Sequence, residues 1–169
     1  LVGVKDLLTY LVQPDFVAPA IMTKLAERAS RKVRIRPFNR KNKAADIAAM
    51  RDIFNDAWSG NWGFVPFTHE EFEETAKALL LLLPDDYIQF AEIDKKPVAF
   101  ITAFPNLNEM IRDLRGRLFP FGWAKLLWRL KVRGASSTRV ALMGVRSEHQ
   151  FSRLGPTLAF LVIDAARKA

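Results

Sequence analysis

The chain of 169 residues has no cysteine and only two histidines, His69 and His149. Without cysteine there is no disulfide, iron–sulfur cluster, zinc finger or thiol nucleophile. Two histidines far apart in the chain do not supply the spacing of an imidazole metal site, so no metal is expected. The absence of cysteine fits a reducing compartment, and a cytoplasmic location is the expectation. Long hydrophobic runs are also missing. The longest, 78–83 and 158–163, fall far short of the roughly 20 apolar residues a membrane-crossing helix needs. No signal-peptide pattern, internal repeat or low-complexity tract is visible.

What is present is an ordinary globular composition, 50% hydrophobic and 26% charged. The length fits one domain with a short extra piece and buries a real core. The net charge of +8 is unevenly placed. Residues 24–43 carry nine Lys/Arg and one acid, and 112–133 carry seven and one, whereas 44–111 carry four bases and twelve acids. Two basic blocks therefore flank an acidic one. A nucleic-acid reader would gather its charge into one motif with stacking aromatics. The pattern weighs against nucleic acid and leaves anionic small ligands or a membrane surface as partners.

Residues 1–13 read as a strand, stopped by Pro14 and Pro19. Residues 20–30 suit a short helix with Ile21, Leu25 and Ala29 on one face. Residues 33–38 alternate as a half-exposed strand. Residues 43–57 read as a helix, with Ile47, Met50, Phe54 and Trp58 near helical spacing. Thr68 and Glu71 form a capping box that starts a helix running to about Leu83. Residues 87–93 and 97–104 make a hairpin around a turn at 94–96. Residues 106–138 hold two helical stretches split around 115–121. A strand at 139–145 and a helix from 153 or 154 to 168 close the chain. The order is a mixed α/β arrangement.

The most informative segment is 140–158, which reads strand, short loop, helix. Backbone N–H groups and the helix dipole at such a junction make an anion site suited to a pyrophosphate, with Arg146 and Arg153 adding charge. Within it, Gln150-Phe151-Ser152-Arg153-Leu154-Gly155 resembles motif A of the GNAT acyl-CoA N-acyltransferases, Gln/Arg-x-x-Gly-x-Gly/Ala. Gly144-Val145 is similar to the end of that family's fourth strand, and 146–149 to its loop. The preceding strand–helix–helix–hairpin order matches too. The resemblance covers about residues 33–169, with 106–138 as an insertion, and looks closest to bacterial proteins that carry one GNAT domain after another GNAT-like domain. The stretches 52–58 and 61–67 carry that closer similarity. Arg153 stands where the motif has its middle glycine.

The resemblance implies a GNAT-like fold with a mixed α+β sheet, cut after the motif A helix. Residues 1–32 would be the closing strand of a preceding domain plus a linker, and the chain, which begins with Leu, a piece of something longer. It implies acetyl-CoA or another acyl-CoA as co-substrate and direct acyl transfer to an amine. Met143, Gly144 and Val145 would lie beside the pantetheine arm, and Gln150, Phe151, Ser152, Arg153, Leu154 and Gly155 at the pyrophosphate. The backbone near Val145 would polarise the thioester carbonyl. Glu92 is a candidate base by position, against the alternative of an exposed strand carboxylate. Trp58, Asn61 and Trp62, with Asn55, stand where such folds line the acceptor pocket, or else simply anchor a loop.

Three further features stand apart from the motif. Residues 112–133 interleave Lys/Arg with Phe119, Phe121, Trp123 and Trp128, as an interfacial helix does. The plainer alternative is a packed helix with a solvated basic face. His149 suits a loop residue better than a base, and His69 an exposed position in the capping box. A Ser147–His149–Asp164 triad lacks a nucleophile elbow. A sheet ending at residue 145 leaves an unpaired edge that invites self-association. The sequence thus points to an acyl-CoA-dependent N-acyltransferase acting on a small or lipid-like amine. Its alternative is a non-catalytic GNAT-like module that binds a membrane surface or protein partner through the insertion.

Overall fold

The structure, a computed structural model, describes residues 17–29, 31–80 and 83–150, with positions 157, 160 and 164. The expected strand at 1–13, motif residues 151–155 and the course of the helix from 153 lie outside the described residues. Within them, four strands form one antiparallel meander in the order β1 (Arg34–Pro37), β2 (Ile88–Ile93), β3 (Lys96–Pro105), β4 (Thr138–Val145). Helices α2 (Lys43–Trp58) and α3 (His69–Leu80) follow β1, and α1 (Ala20–Ala29) precedes it.

Strand alternation sends successive side chains to opposite faces, so the sheet has two cores. Phe90 and Phe100 pack with Ile47, Met50, Phe54 and Phe72 of α2 and α3 on one face. Ala91, Val98 and Ala99 pack with Ala29 and Val33 on the other. Large residues on the two-helix face and small ones on the single-helix face match the depth of each layer. β1 keeps the alternation of the expected half-exposed strand. Val33 joins the α1 side, while Phe38 is buried on the α2 side. Arg36 is drawn over the Phe90 ring, 4.5 Å from its centroid, by two carboxylates described below.

Local chemistry sets the element ends. Thr68 Oγ1 accepts from the Glu71 N–H at 3.2 Å, and Glu71 Oε2 accepts from the Thr68 N–H at 3.0 Å, so the capping box forms as expected. The β2–β3 turn places Asp94 at φ 50° and Lys95 at φ 63°. Two left-handed residues match the twist of a hairpin. Of the face read as Ile21, Leu25 and Ala29, Ala29 is buried together with Ala26, Leu25 is half-buried and Ile21 is exposed.

The segment 106–137 leaves β3 at Pro105 and returns at Thr138, and these two residues are cross-strand partners. It holds α4 (Leu107–Ile111), a 3-10 turn at Arg112–Leu114 and α5 (Gly122–Trp128). The second helical stretch relaxes into a π-helical turn over Arg129–Arg133 before Gly134 ends it at φ 72°. A wide turn of this kind leaves the i–4 ladder early, and glycine then supplies the left-handed residue.

Candidate functional site

The site predicted from the sequence centres on the end of β4. Arg146 N–H donates to Val98 O of β3 at 2.9 Å. Alternate residues of a strand turn the same way, so Gly144 also faces β3 while Met143 and Val145 turn to the other edge. The partners of their carbonyls agree. Met143 O accepts from the Trp58 indole N–H at 2.9 Å, and Val145 O from Gln150 Nε2 at 3.0 Å. β4 is the last strand of the sheet among the described residues, so this edge faces no further strand.

Gly144 is required by packing. A Cβ there would lie 3.1 Å from Ile53 Cγ2 and 3.2 Å from Phe100 Cε1, closer than those neighbours tolerate unmoved. The glycine lets β4 lie down on α2. After β4 the chain turns directly into α6 (Ser147–Gln150). The expected loop at 146–149 is thus already helical from Ser147. The reason is Asp56 of α2. Its carboxylate accepts from Ser147 N–H at 2.7 Å and Ser147 Oγ at 2.8 Å, capping the helix start. Gln150 Nε2 also donates to Ala57 O at 3.0 Å. Residues 56, 57 and 58 of α2 thereby hold the β4–α6 junction from one side.

Trp58 is positioned by an aromatic cluster. Its ring stacks on Phe54 at 5.5 Å, and Phe54 meets Phe64 and Phe67 at 5.7 Å each. Asn55 clasps the Phe67 backbone in both directions, accepting from its N–H at 3.0 Å and donating to its carbonyl at 2.9 Å. Trp58 thus meets the backbone of Met143. Asn61 and Trp62 sit in the turn beyond, where Asn61 N–H donates to Trp58 O at 2.9 Å and Trp62 is 74% exposed. Of the predicted residues, the structure groups Trp58, Met143, Gly144, Val145 and Gln150. Phe151, Ser152, Arg153, Leu154 and Gly155 lie outside the described residues.

Glu92 lies on β2, two strands from β4. It is 8% exposed, and its Oε1 accepts from Arg36 Nε at 2.6 Å. Arg36 also forks onto both oxygens of buried Asp46, at 2.8 and 2.7 Å. Hydrogen bonding to Asp46 above all, and then to Glu92, raises the guanidinium pKa beyond its usual value, against the opposing effect of burial. Glu92 is thus half of a buried counter-charge for Arg36. Sequence reasoning missed Asp46 and Asp56. Asp56 and Ser147 are 91 positions apart, and Asp46 reaches Arg36 from the next element along the chain, so no motif marks either.

Two hollows adjoin β4. One, of about 120 Å3, lies between α2, α3 and the sheet and is lined without polar surface. Thr102 of β3 and Leu142 of β4, which are cross-strand partners, form part of its lining. Thr102 Oγ1 is buried there with no hydrogen-bond partner. The other, a groove of about 480 Å3, is bounded by Lys96, Arg146 and His149 together with Asp94 and Glu148. The first suits a hydrocarbon chain; the second brings two cations and two carboxylates together at the far end of β4.

With the geometry in place, the class is defined by its fold. The chain has a GNAT-like mixed α/β fold. A solved structure from Pyrococcus horikoshii, described as that of a candidate acetyltransferase, matches it with a TM-score of 0.51 over 82% of this chain and 36% of that one, at 19% identity. Among curated proteins, this chain is 53% identical over 163 residues to Protein YghO of Escherichia coli K12 and 39% identical over 164 residues to the bacterial ceramide synthase of Caulobacter vibrioides. Each alignment covers 96% of this chain but only 42% and 43% of the respective relative. The chain therefore spans less than half the length of the relatives it matches. No family model matches it.

Proposed function

We propose that this chain forms the acyl-CoA-binding part of an N-acyltransferase whose amine acceptor carries an aliphatic chain. The observation that carries the reading is the Met143–Val145 edge of β4, unpaired by any strand among the described residues, next to an apolar hollow on one side and a groove that holds Lys96 and Arg146 at its end. An acyl thioester supplies the activated acyl group. The amine nitrogen forms a C–N bond to the thioester carbon, the C–S bond breaks, CoA leaves as the thiolate and the ammonium proton passes to it or to solvent. The backbone N–H groups on that edge of β4 would stabilise the oxyanion that develops on the carbonyl. Arg146 and Lys96 would meet phosphate charge. The named activity of the Caulobacter vibrioides relative supports the aliphatic acceptor, because a ceramide is the amide of a long-chain amine.

The test is a thermal-shift series on the full chain with acetyl-CoA and longer acyl-CoAs. Ligand at a hundredfold excess over Kd stabilises by about 2.7 kcal/mol, several degrees in a domain of this size. Long-chain species are expected to shift more than acetyl-CoA. No shift with any acyl-CoA would sink the proposal. Gly155→Trp should abolish the shift, and an undiminished shift would put the ligand elsewhere.

A further inference from the structure

The insertion 106–137 contains the most exposed large aromatic side chains among the described residues, and the acyltransferase reading makes no use of them. Phe119 is 83% exposed and Phe121 76%, with Leu118, Trp123, Trp128 and Val132 exposed around them. A water-facing surface seldom exposes so many large apolar side chains within one short segment unless something covers them.

The base of the insertion is built to be rigid. Asn106 N–H donates to Ser137 O at 2.9 Å, and Asn106 Nδ2 to Ser137 Oγ at 2.9 Å. Glu109 accepts from Ser136 N–H at 3.0 Å, from Ser136 Oγ at 2.7 Å and from Ser137 Oγ. Arg129 donates to Met110 O and spans Asp113. A segment this firmly tied at its root, with aromatics bare at its tip, is shaped for contact rather than left over from folding.

The charge around the tip selects the partner. Arg112, Arg115, Arg117, Lys125 and Arg133 are exposed. Asp113 is the one acid in 112–133, and its carboxylate is taken by Lys125 at 2.5 Å and by Arg129. The outward field of the segment is therefore positive. Aromatic side chains that dip into an interface and cations that meet phosphate headgroups are the two parts of peripheral attachment. α5 has seven residues, and no helix among the described residues is long and apolar enough to cross a membrane. Such a segment can lie on a bilayer but does not span it.

We infer that the tip of this insertion, residues 115–128, is a docking surface for an anionic lipid bilayer. The inference stands apart from acyl transfer, since attachment needs no acyl-CoA. Flotation of the full chain with phosphatidylcholine vesicles, with and without phosphatidylglycerol, tests it. The chain should float with the anionic vesicles, weakly or not at all with the neutral ones, and be released by high salt. Removing a basic contact should weaken partition roughly fivefold per residue, so Arg115→Glu/Arg117→Glu should lower it at least tenfold. Phe119→Ser/Phe121→Ser should lower it comparably while leaving the circular dichroism and melting temperature unchanged, since neither ring is packed. Absence of flotation with anionic vesicles overturns the inference. So does flotation that both variants leave intact. Concentration-dependent dimerisation that Phe119→Ser/Phe121→Ser abolishes, in a chain that binds no vesicle, would assign the surface to a second copy and likewise overturn it.

Discussion

The helix-backed sheet and the 106–137 insertion are both rich in aromatic rings and arginine, and they use them in opposite ways. In the sheet body, Phe90 and Phe100 are fully buried, and Arg36 is enclosed with Asp46 and Glu92. In the insertion, Phe119 and Phe121 face outward and most arginines stand in water. The residue types are the same; the enclosure differs. A ring between two layers contributes its whole transfer free energy to stability, whereas a ring at a loop tip contributes almost none until it meets a partner. The difference separates what holds this chain together from what it offers outward.

The largest expected effect tests that separation directly. Arg36→Met leaves Asp46 and Glu92 buried without their cation and should cost about 3–5 kcal/mol in denaturant unfolding. Arg117→Met should change stability by no more than about 0.5 kcal/mol. Equal losses would show that the insertion is part of the core. The same measurement bears on Glu92. If its role is the ion pair, Glu92→Gln lowers stability before it lowers turnover at saturating substrate.

A middling effect falls where body and site meet. Gly144→Ala brings a Cβ to 3.1 Å from Ile53 and 3.2 Å from Phe100 and should cost about 1–3 kcal/mol by overpacking. Because β4 must then lift from α2, acyl-CoA binding should weaken with it. An unchanged melting temperature would mean that the junction is looser than the packing implies.

The smallest effect concerns the root of the insertion. Hydrogen bonds from Ser137 and Ser136 lower the Glu109 pKa from 4.5 to about 2. A depressed carboxylate contributes stability that is fully present above pH 4.5 and is lost as pH falls from there through about 2. The Ser136 amide resonance should titrate with a midpoint near 2, while a midpoint at 4.5 would mean that the clasp is open in solution.

Much of the fold was legible because its signals are local. The capping box at Thr68 and Glu71, the hairpin around Asp94 and Lys95, and the helical spacing of Ile47, Met50 and Phe54 all lie within a few residues and came out as read. The misreadings have one source. Ile21 shares a face with Ala29 by periodicity, but α1 buries only Ala26 and Ala29. The 146–149 stretch looked like a loop, but a carboxylate from α2 caps it into a helix. Each depends on what another part of the chain brings alongside.

The candidate site divides the same way. The sequence by itself determined that β4 ends in Gly144-Val145, that a Gln follows at 150, and that aromatics and cations alternate in 112–133. These are properties of neighbouring residues, fixed by chemistry and spacing. Only the tertiary structure decided that Trp58 meets Met143, that Asp56 caps Ser147, that Glu92 is spent on Arg36, and that the insertion's aromatics stay bare. Hydrogen bonds and burial act between side chains close in space whatever their separation in the chain. Their partners are known only once the sheet and its helices have closed.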